Sequence, residues 1–359
     1  MSFYMPTRIY DEPDCVRSHG KALAAFGHKA LIVTGRSSAA KCGALDDVTA
    51  ALTEQGVQYC LFSEVEENPS VETVVKGALY GQSEEADFVI GIGGGSPMDA
   101  SKAIAFLLKR GTFSAEDLYD KSLSPDALDV IAVPTTCGTG SEVTGVSVLT
   151  VHEKQTKMSI PHKIFPRLAL VDGKYLKDAS GSILVHTALD AFAHMVESYE
   201  SKKSTPYSEA AVMTGLPLWG SCRPVISGQK EPDEQELQCL MRASTFAGIA
   251  IAQTGTSIPH ALSYILTYDQ KIPHGLAAGY FLKGYLSQAQ KEDREALLHA
   301  AGFTGMEDFA GFMDGICGNL AVPEKTLARA CASVASNAER LHGCRMEMDE
   351  KILKEICGL

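Results

Sequence analysis

Four residues in the second half of the chain have the types and spacing of a metal site. Asp190 and His194 stand four residues apart in Thr187-Ala-Leu-Asp-Ala-Phe-Ala-His-Met-Val-Glu197, so on a helix they project from one face, one turn apart. Their neighbours Leu189, Phe192, Ala193 and Val196 are apolar, which argues that the helix is buried, and a buried carboxylate needs a partner or a metal. His260 follows Ser257-Ile-Pro259, and His274 sits in Ile272-Pro-His-Gly275. Each Pro-His reads as the opening of a helix, which fixes the direction of the imidazole. Taken singly, each has a plainer reading: a private Asp190–His194 hydrogen bond in a core, and cap or packing roles for His260 and His274. Together, one carboxylate and three imidazoles suit a divalent transition metal, Fe(2+) or Zn(2+), better than Mg(2+) or Ca(2+), which favour oxygen donors. His19, His28, His152, His162, His186, His299 and His342 lack such company and read as surface or packing residues.

The elements that must position these residues fall into two halves. In the first, Lys29–Thr34 is a continuous apolar run expected of a strand buried on both faces. Further strands are expected at Phe3–Tyr10, Tyr59–Phe62, Phe88–Ile90, Val130–Pro134, Val146–Thr150 and Leu168–Val171, with helices at Asp46–Gln55, Val71–Gly81 and Ala103–Leu108. Strands alternating with helices predict a doubly wound, mainly parallel α/β sheet with ligands at the carboxyl ends of its strands. Gly91-Ile-Gly-Gly-Gly-Ser-Pro-Met-Asp-Ala-Ser-Lys102 links one such strand to its helix. Glycines allow close backbone approach to a phosphate, and the first N–H groups of the helix point at it. The run is neither a Walker motif nor a G-x-G-x-x-G at the opening of a fold, and a plain glycine-rich turn is the competing reading. Thr135-Thr-Cys-Gly-Thr-Gly-Ser-Glu-Val-Thr144 is dense in hydroxyls and glycines; it reads as a polar ligand's wrapping or as an ordinary loop. Near Tyr175–Gly181 the alternation ends, and segments rich in Ala, Leu, Met and Glu carry helical periodicity onward. The expected organisation is an α/β domain over 1–178 and an all-helical domain over 179–359.

A formal charge of −12 with no compensating Lys/Arg block argues against nucleic acid and anionic membranes as partners. An anionic cofactor must then be held by backbone dipoles and a few local cations. No cleavable signal pattern opens the chain and no apolar run is long enough for a bilayer. Ten cysteines scattered from Cys15 to Cys357 show no C-x-x-C pair, which favours reduced thiols in the cytoplasm over a disulfide framework or a cysteine-based zinc site.

With Gly93-Gly-Gly-Ser-Pro-Met-Asp99, Pro134-Thr-Thr-Cys-Gly-Thr-Gly-Ser-Glu-Val-Thr144, Asp190-x-x-x-His194 and the pair His260/His274 in view, the chain resembles the iron-containing alcohol dehydrogenase family over nearly its whole length. The resemblance implies a dinucleotide-binding α/β domain followed by an all-α domain, an arrangement shared with dehydroquinate synthases, and a homodimer. It implies Asp190, His194, His260 and His274 as the four metal ligands. Gly94, Gly95 and Ser96 would hold the cofactor pyrophosphate, and Asn68, Asp99, Thr135, Thr136, Thr139, Val148 and Lys157 match positions near the cofactor. The turn Gly35-Arg-Ser-Ser38 bears on which nucleotide binds. Relatives that prefer NAD often carry an Asp directly after this strand; here Gly35 is followed by Arg36 and Ser37, and a cation with hydroxyl donors suits a 2′-phosphate. The expected cofactor is therefore NADP(H), with NAD(H) as the second choice. The expected reaction is reversible hydride transfer between a primary alcohol and its aldehyde. A zinc-dependent polyol dehydrogenase or a sugar-phosphate cyclase is the alternative on the same fold, and a non-catalytic nucleotide-binding module the alternative of another class. Three positions depart from the family pattern. Tyr264 stands where many relatives have a second histidine that contacts substrate or relays a proton; Tyr264 is the catalytic candidate there, with a hydrogen bond to substrate or to a proton-carrying water as one reading and a packing role as the other. Asp172-Gly173 replaces Asp-Pro and is expected to loosen a turn, and Ala188 replaces a glycine.

Overall fold

A computed structural model of the chain describes residues 2–154 and 156–359. They fall into two compact units, Met5–Thr136 with Gly140–Ala179, and Ser180–Leu359 with Cys137–Thr139 and the residues up to Tyr4.

The first unit is built on eight strands: β1 (Arg8–Asp11), β2 (Lys29–Gly35), β3 (Gln58–Val65), β4 (Phe88–Gly93), β5 (Val130–Pro134), β6 (Val148–Val151), β7 (Thr156–Ser159) and β8 (Leu168–Val171). Six of them form one parallel sheet in the order β1-β8-β5-β4-β2-β3. The apolar run of β2 is buried because the sheet is covered on both faces. Ala30 and Ile32 pack with Val48, Ala51 and Leu52 of helix α1 (Ala44–Glu54). Leu31 and Val33 face the other way, towards Val74 and Ala78 of α2 (Val71–Ser83) and Ala100, Ala103 and Ile104 of α3 (Gly95–Leu108). Helices on both faces of a parallel sheet make the expected doubly wound α/β architecture.

Four local expectations need correction. The first strand begins at Arg8, opposite Leu168 of β8, not at Phe3; Pro6 just before it has no N–H for a ladder. The helix after the glycine run starts at Gly95, eight residues before the apolar segment that signalled it. Val146–Thr150 does not extend the main sheet. Its strand, β6, pairs with β7 in an antiparallel ribbon, Val148 opposite Ser159 and Thr150 opposite Lys157, with a single parallel bridge from Thr150 to Ser70, and β7 carried no readable signal. The turn at Asp172-Gly173 is not loose: the buried Asp172 carboxylate accepts from Lys174 N at 2.9 Å and from Asp14 N at 2.6 Å.

The second unit is helical. Its helices of eight residues or more are α4 (Gly181–Tyr199), α5 (Pro206–Ser221), α6 (Glu234–Thr254), α7 (Ile258–Gln270), α8 (His274–Gln288), α9 (Lys291–Ala300), α10 (Met306–Cys317), α11 (Glu324–Ala335) and α12 (Glu350–Cys357). Side-chain caps set several of their starts: Ser180 accepts from Ile183 N, and Asp233 and Glu236 form a capping box at α6. Trp219 anchors the core, fully buried, with Nε1 donating to Ala188 O at 2.7 Å and its ring 4.5 Å from that of Phe192. Among the described residues no helix is long and apolar enough to cross a membrane.

Candidate metal centre

Three helices of the second unit bring the four sequence-marked residues to one place. Asp190 and His194 project from the buried face of α4. His260 lies in the first turn of α7 behind Pro259, and His274 opens α8 behind Pro273. Around Asp190 Oδ1, Nε2 of His260 lies at 3.2 Å, that of His274 at 3.8 Å and that of His194 at 4.0 Å. Donor atoms of Asp190, His260 and His274 all lie within 4.8 Å of one another. His194 joins from the side, its ring stacked on that of His260 at 4.4 Å.

The far sides of the two buried imidazoles decide what the near sides can do. His194 Nδ1 lies 3.2 Å from the carbonyl of Gly138, and His260 Nδ1 lies 2.7 Å from Glu197 Oε1. Both partners accept, so both rings carry a proton on Nδ1 and turn Nε2 towards Asp190. Burial alone would keep the Asp190 carboxyl protonated, but the imidazoles of His194, His260 and His274 outweigh it and hold its pKa far below the ordinary value. Burial also opposes charge on His260, and there the Glu197 and Asp190 carboxylates prevail and raise its pKa well above normal. For His194 burial wins and its pKa is lowered. A carboxylate held ionised among three imidazoles, two of them with Nε2 turned towards it, fits a divalent transition metal by donor type and number.

Glu197 was not singled out from the sequence. It is fully buried and accepts from His260 Nδ1, from His260 N at 3.0 Å and from Ser257 N. Its signal was present: seven residues from Asp190, it shares that face of α4 and interrupts an apolar stretch with a charge. Two glycines also shape the site. A Cβ on Gly275 would meet His186 O at 1.9 Å and Asp190 Cβ at 2.9 Å, so the first turn of α8 can approach α4 only as glycine. A Cβ on Gly138 would lie 2.8 Å from Thr187 O, and Cys137 beside it lies 3.2 Å from Thr187 Oγ1. Tyr264, one turn after His260, stacks on the His274 ring with centroids 5.9 Å apart and planes 9° apart.

In the first unit, the residues marked for a nucleotide follow the carboxyl ends of β2, β3, β4 and β5, or lie on the β6–β7 ribbon. Gly93 has φ +149°, a conformation few other residues adopt, and Gly94 caps α3 without any side-chain hydrogen bond to its first turn. A Cβ on Gly94 would meet Thr136 Oγ1 at 3.0 Å. Ser96 Oγ accepts from Asn68 N at 3.0 Å, and Asn68, itself left-handed at φ 60°, accepts from Lys157 Nζ at 2.7 Å through Oδ1. Thr150 Oγ1 donates to Asn68 O at 2.8 Å. Asp99 accepts from Ser141 Oγ at 2.6 Å and from Val148 N at 2.9 Å. The fully buried Lys102 reaches Ser141 Oγ at 2.6 Å and Val146 O at 2.9 Å; burial lowers its pKa against the pull of Asp99 and Glu142. Asp99 therefore pins the β6–β7 ribbon to α3. Thr135 is buried at the end of β5. Gly35 ends β2, and Arg36 and Ser37 after it are exposed. Thr139 falls in the short segment grouped with the helical unit.

Residues 6–173 match the family model described as iron-containing alcohol dehydrogenase, and residues 184–337 match that of the C-terminal part of the Fe-containing alcohol dehydrogenase family. The chain is 31% identical to the NADPH-dependent butanol dehydrogenase of Clostridium saccharobutylicum over 71% of its own length and 66% of that protein's. It is 26% identical to the NAD-dependent methanol dehydrogenase of Bacillus methanolicus over 77% of its length and 72% of the other's. Its structure superposes on that of an iron-containing alcohol dehydrogenase from Thermotoga maritima with a TM-score of 0.89 and 35% identity, covering 100% of this chain and 99% of that one. The chain belongs to the iron-containing alcohol dehydrogenases, a family of oxidoreductases.

Proposed function

We propose that this enzyme interconverts a primary alcohol and its aldehyde with NADP(H), using a divalent iron or zinc ion held by Asp190, His194, His260 and His274. The observation that carries this reading is the ionised Asp190 carboxylate facing three imidazoles, two of which are turned by acceptors at Nδ1. When bound, the ion would supply Lewis acidity to the substrate oxygen, and the nucleotide would supply or accept the hydride. The chain's own part is to hold and orient. Gly138 O and Glu197 fix the ring directions of His194 and His260. Tyr264 packs flat on His274 and takes the hydrogen bond to substrate or to a proton-carrying water that a histidine makes in many relatives. The uncapped amides at Gly95 and Ser96 receive the pyrophosphate, with Asn68 set by Ser96 and Lys157. Exposed Arg36 and Ser37 at the end of β2 meet the adenosine 2′-phosphate. Free thiols at every cysteine support a reducing, cytoplasmic setting, and the edge strand β1 supports a homodimer.

The test combines metal analysis of the purified protein with initial rates of NADPH oxidation against a panel of aldehydes. Stoichiometric metal and net NADPH consumption are expected; a metal-replete protein that consumes none would point to a cyclase. Rates with NADPH and NADH at equal concentration test the nucleotide, and a clear preference for NADH would overturn that part of the proposal.

A further inference from the structure

Away from the metal centre, two helices place a pair of thiols in contact. Cys331 of α11 and Cys357 of α12 are both buried, and their sulfurs lie 3.0 Å apart, with the Leu353 carbonyl 3.4 Å from Cys331 Sγ. Neither is bonded to another cysteine. We propose that Cys331 and Cys357 are a redox modification site, closing reversibly to a disulfide by exchange with a low-molecular-weight disulfide and fastening α12 to α11.

The two sulfurs divide the chemistry. The hydrogen bond with Cys357 lowers the pKa of Cys331 against the effect of burial, and the Lys354 ammonium adds to it, whereas Cys357 is raised by the same hydrogen bond and by burial. Cys331 is therefore the attacking thiolate and Cys357 the resolving thiol. In the first step the Cys331 thiolate bonds to one sulfur of the small disulfide and expels the other as a thiolate. Cys357 then loses its proton to that thiolate and attacks the Cys331 sulfur, and the second small thiol leaves. Two protein thiols are oxidised by two electrons, and one small disulfide is reduced to two thiols. Access comes from local opening of α12, which has only eight residues and an outer side of Glu350, Lys351, Lys354 and Glu355.

The position gives the bond a structural consequence. α11 packs along α7, which carries His260, and α12 packs against α8, which carries His274. The fit to α8 is close: a Cβ on Gly284 would meet Ile356 O at 2.5 Å, one residue before Cys357. Oxidation thus ties together the two helices that back a pair of ligand-bearing ones.

The test incubates the folded, metal-loaded protein with oxidised glutathione, alkylates the remaining thiols and digests with trypsin without reduction. The peptide 330–340 is expected joined to the peptide that begins at Glu355, the product vanishing on reduction. Cys357→Ser should instead keep glutathione on the sulfur of Cys331. A wild type that carries glutathione on single cysteines, or that forms the link only after unfolding in urea, overturns the proposal. Hydrogen exchange of amides 350–357 gives a second reading that needs no variant: the oxidised form should exchange about tenfold more slowly or less. Equal exchange in the two forms would show that nothing has been fastened.

Discussion

Glu200 follows the last turn of α4, the helix of Asp190 and His194, fully buried, and neither of its side-chain oxygens has a hydrogen-bond partner among the described residues. Burial raises its pKa from the ordinary 4.5 to about 7, the Asp293 charge adding to this and Arg345 opposing it. Between those pH values the folded chain holds a proton that the unfolded chain has released, so stability falls as pH rises through the window and levels off above it. A shift of that size corresponds to about 3 kcal/mol of destabilisation at pH 8 relative to pH 4.5. Glu200→Gln keeps the neutral shape and removes the titration. The variant should therefore gain on the wild type by about 3 kcal/mol as the pH is raised from 4.5 to 8, whatever the offset between them at low pH. Urea unfolding followed by fluorescence suits the measurement, because the chain has a single tryptophan, Trp219, buried in the same helical unit. With a slope of roughly 3 kcal/mol per molar urea, the midpoints of the two proteins should diverge by about 1 M over that range. A difference between variant and wild type that stays constant with pH would refute the reasoning, since it would mean that the folded carboxyl titrates as the unfolded one does.

The remaining predictions concern the site. His274→Ala should lose its metal and its turnover while still binding NADPH; metal analysis and a nucleotide fluorescence titration check both halves, and full activity in metal-free buffer would overturn the ligand assignment. Added metal should raise the melting temperature of the stripped wild type but not of this variant, because only a folded state that binds is stabilised by mass action. Glu197→Gln keeps the helix and the size of the side chain but weakens the acceptor behind His260, so metal affinity should fall about 10- to 100-fold with unchanged circular dichroism. Arg36→Ala should lower kcat/KM for NADPH by about 10- to 100-fold, the worth of a charged hydrogen bond, and leave NADH nearly unaffected. Equal losses with both nucleotides would assign Arg36 to something other than the 2′-phosphate.

What could be read in advance followed from periodicity. Asp190 and His194 were legible because a four-residue interval on an apolar helix has one geometric meaning, and the two Pro-His pairs because proline marks a helix start. The inner strands β2, β4, β5 and β8 of the main sheet were legible as apolar runs, whereas the edge strand β1, Arg8-Ile-Tyr-Asp11, was placed too early. The start of α3 was not, because Gly-Gly-Ser-Pro is a poor helix former on its own. Packing decides it: a Cβ on Gly91 would meet Ser101 Oγ at 2.5 Å, so the strand and the first turns of α3 close together only with glycine there. The β6–β7 ribbon was hidden for another reason. Its strands have four residues each, and the ribbon is anchored from outside by Asp99 to Val148 N and by Thr150 to Asn68 O.

The same division separates the ligands from what orients them. A metal ligand is recognisable by type, since few side chains donate to iron or zinc. The groups behind it need only accept a hydrogen bond, and almost any residue can do that. At His194 the acceptor is a backbone carbonyl, Gly138 O, contributed from 56 residues away and carrying no signature at all. At His260 it is a glutamate 63 residues away whose one clue was a charge on the buried face of α4. Both contacts do the same work, accepting from Nδ1–H and so leaving Nε2 turned towards Asp190. Substitution acts on them differently, because a side chain can be replaced and a carbonyl cannot. Loss of orientation at His260 is thus open to a single change at Glu197, whereas at His194 it requires moving the backbone of Gly138. That backbone is confined by its 2.8 Å clearance from Thr187 O, so a Gly138 substitution should act on the metal centre through the position of the loop rather than through any chemistry of its own.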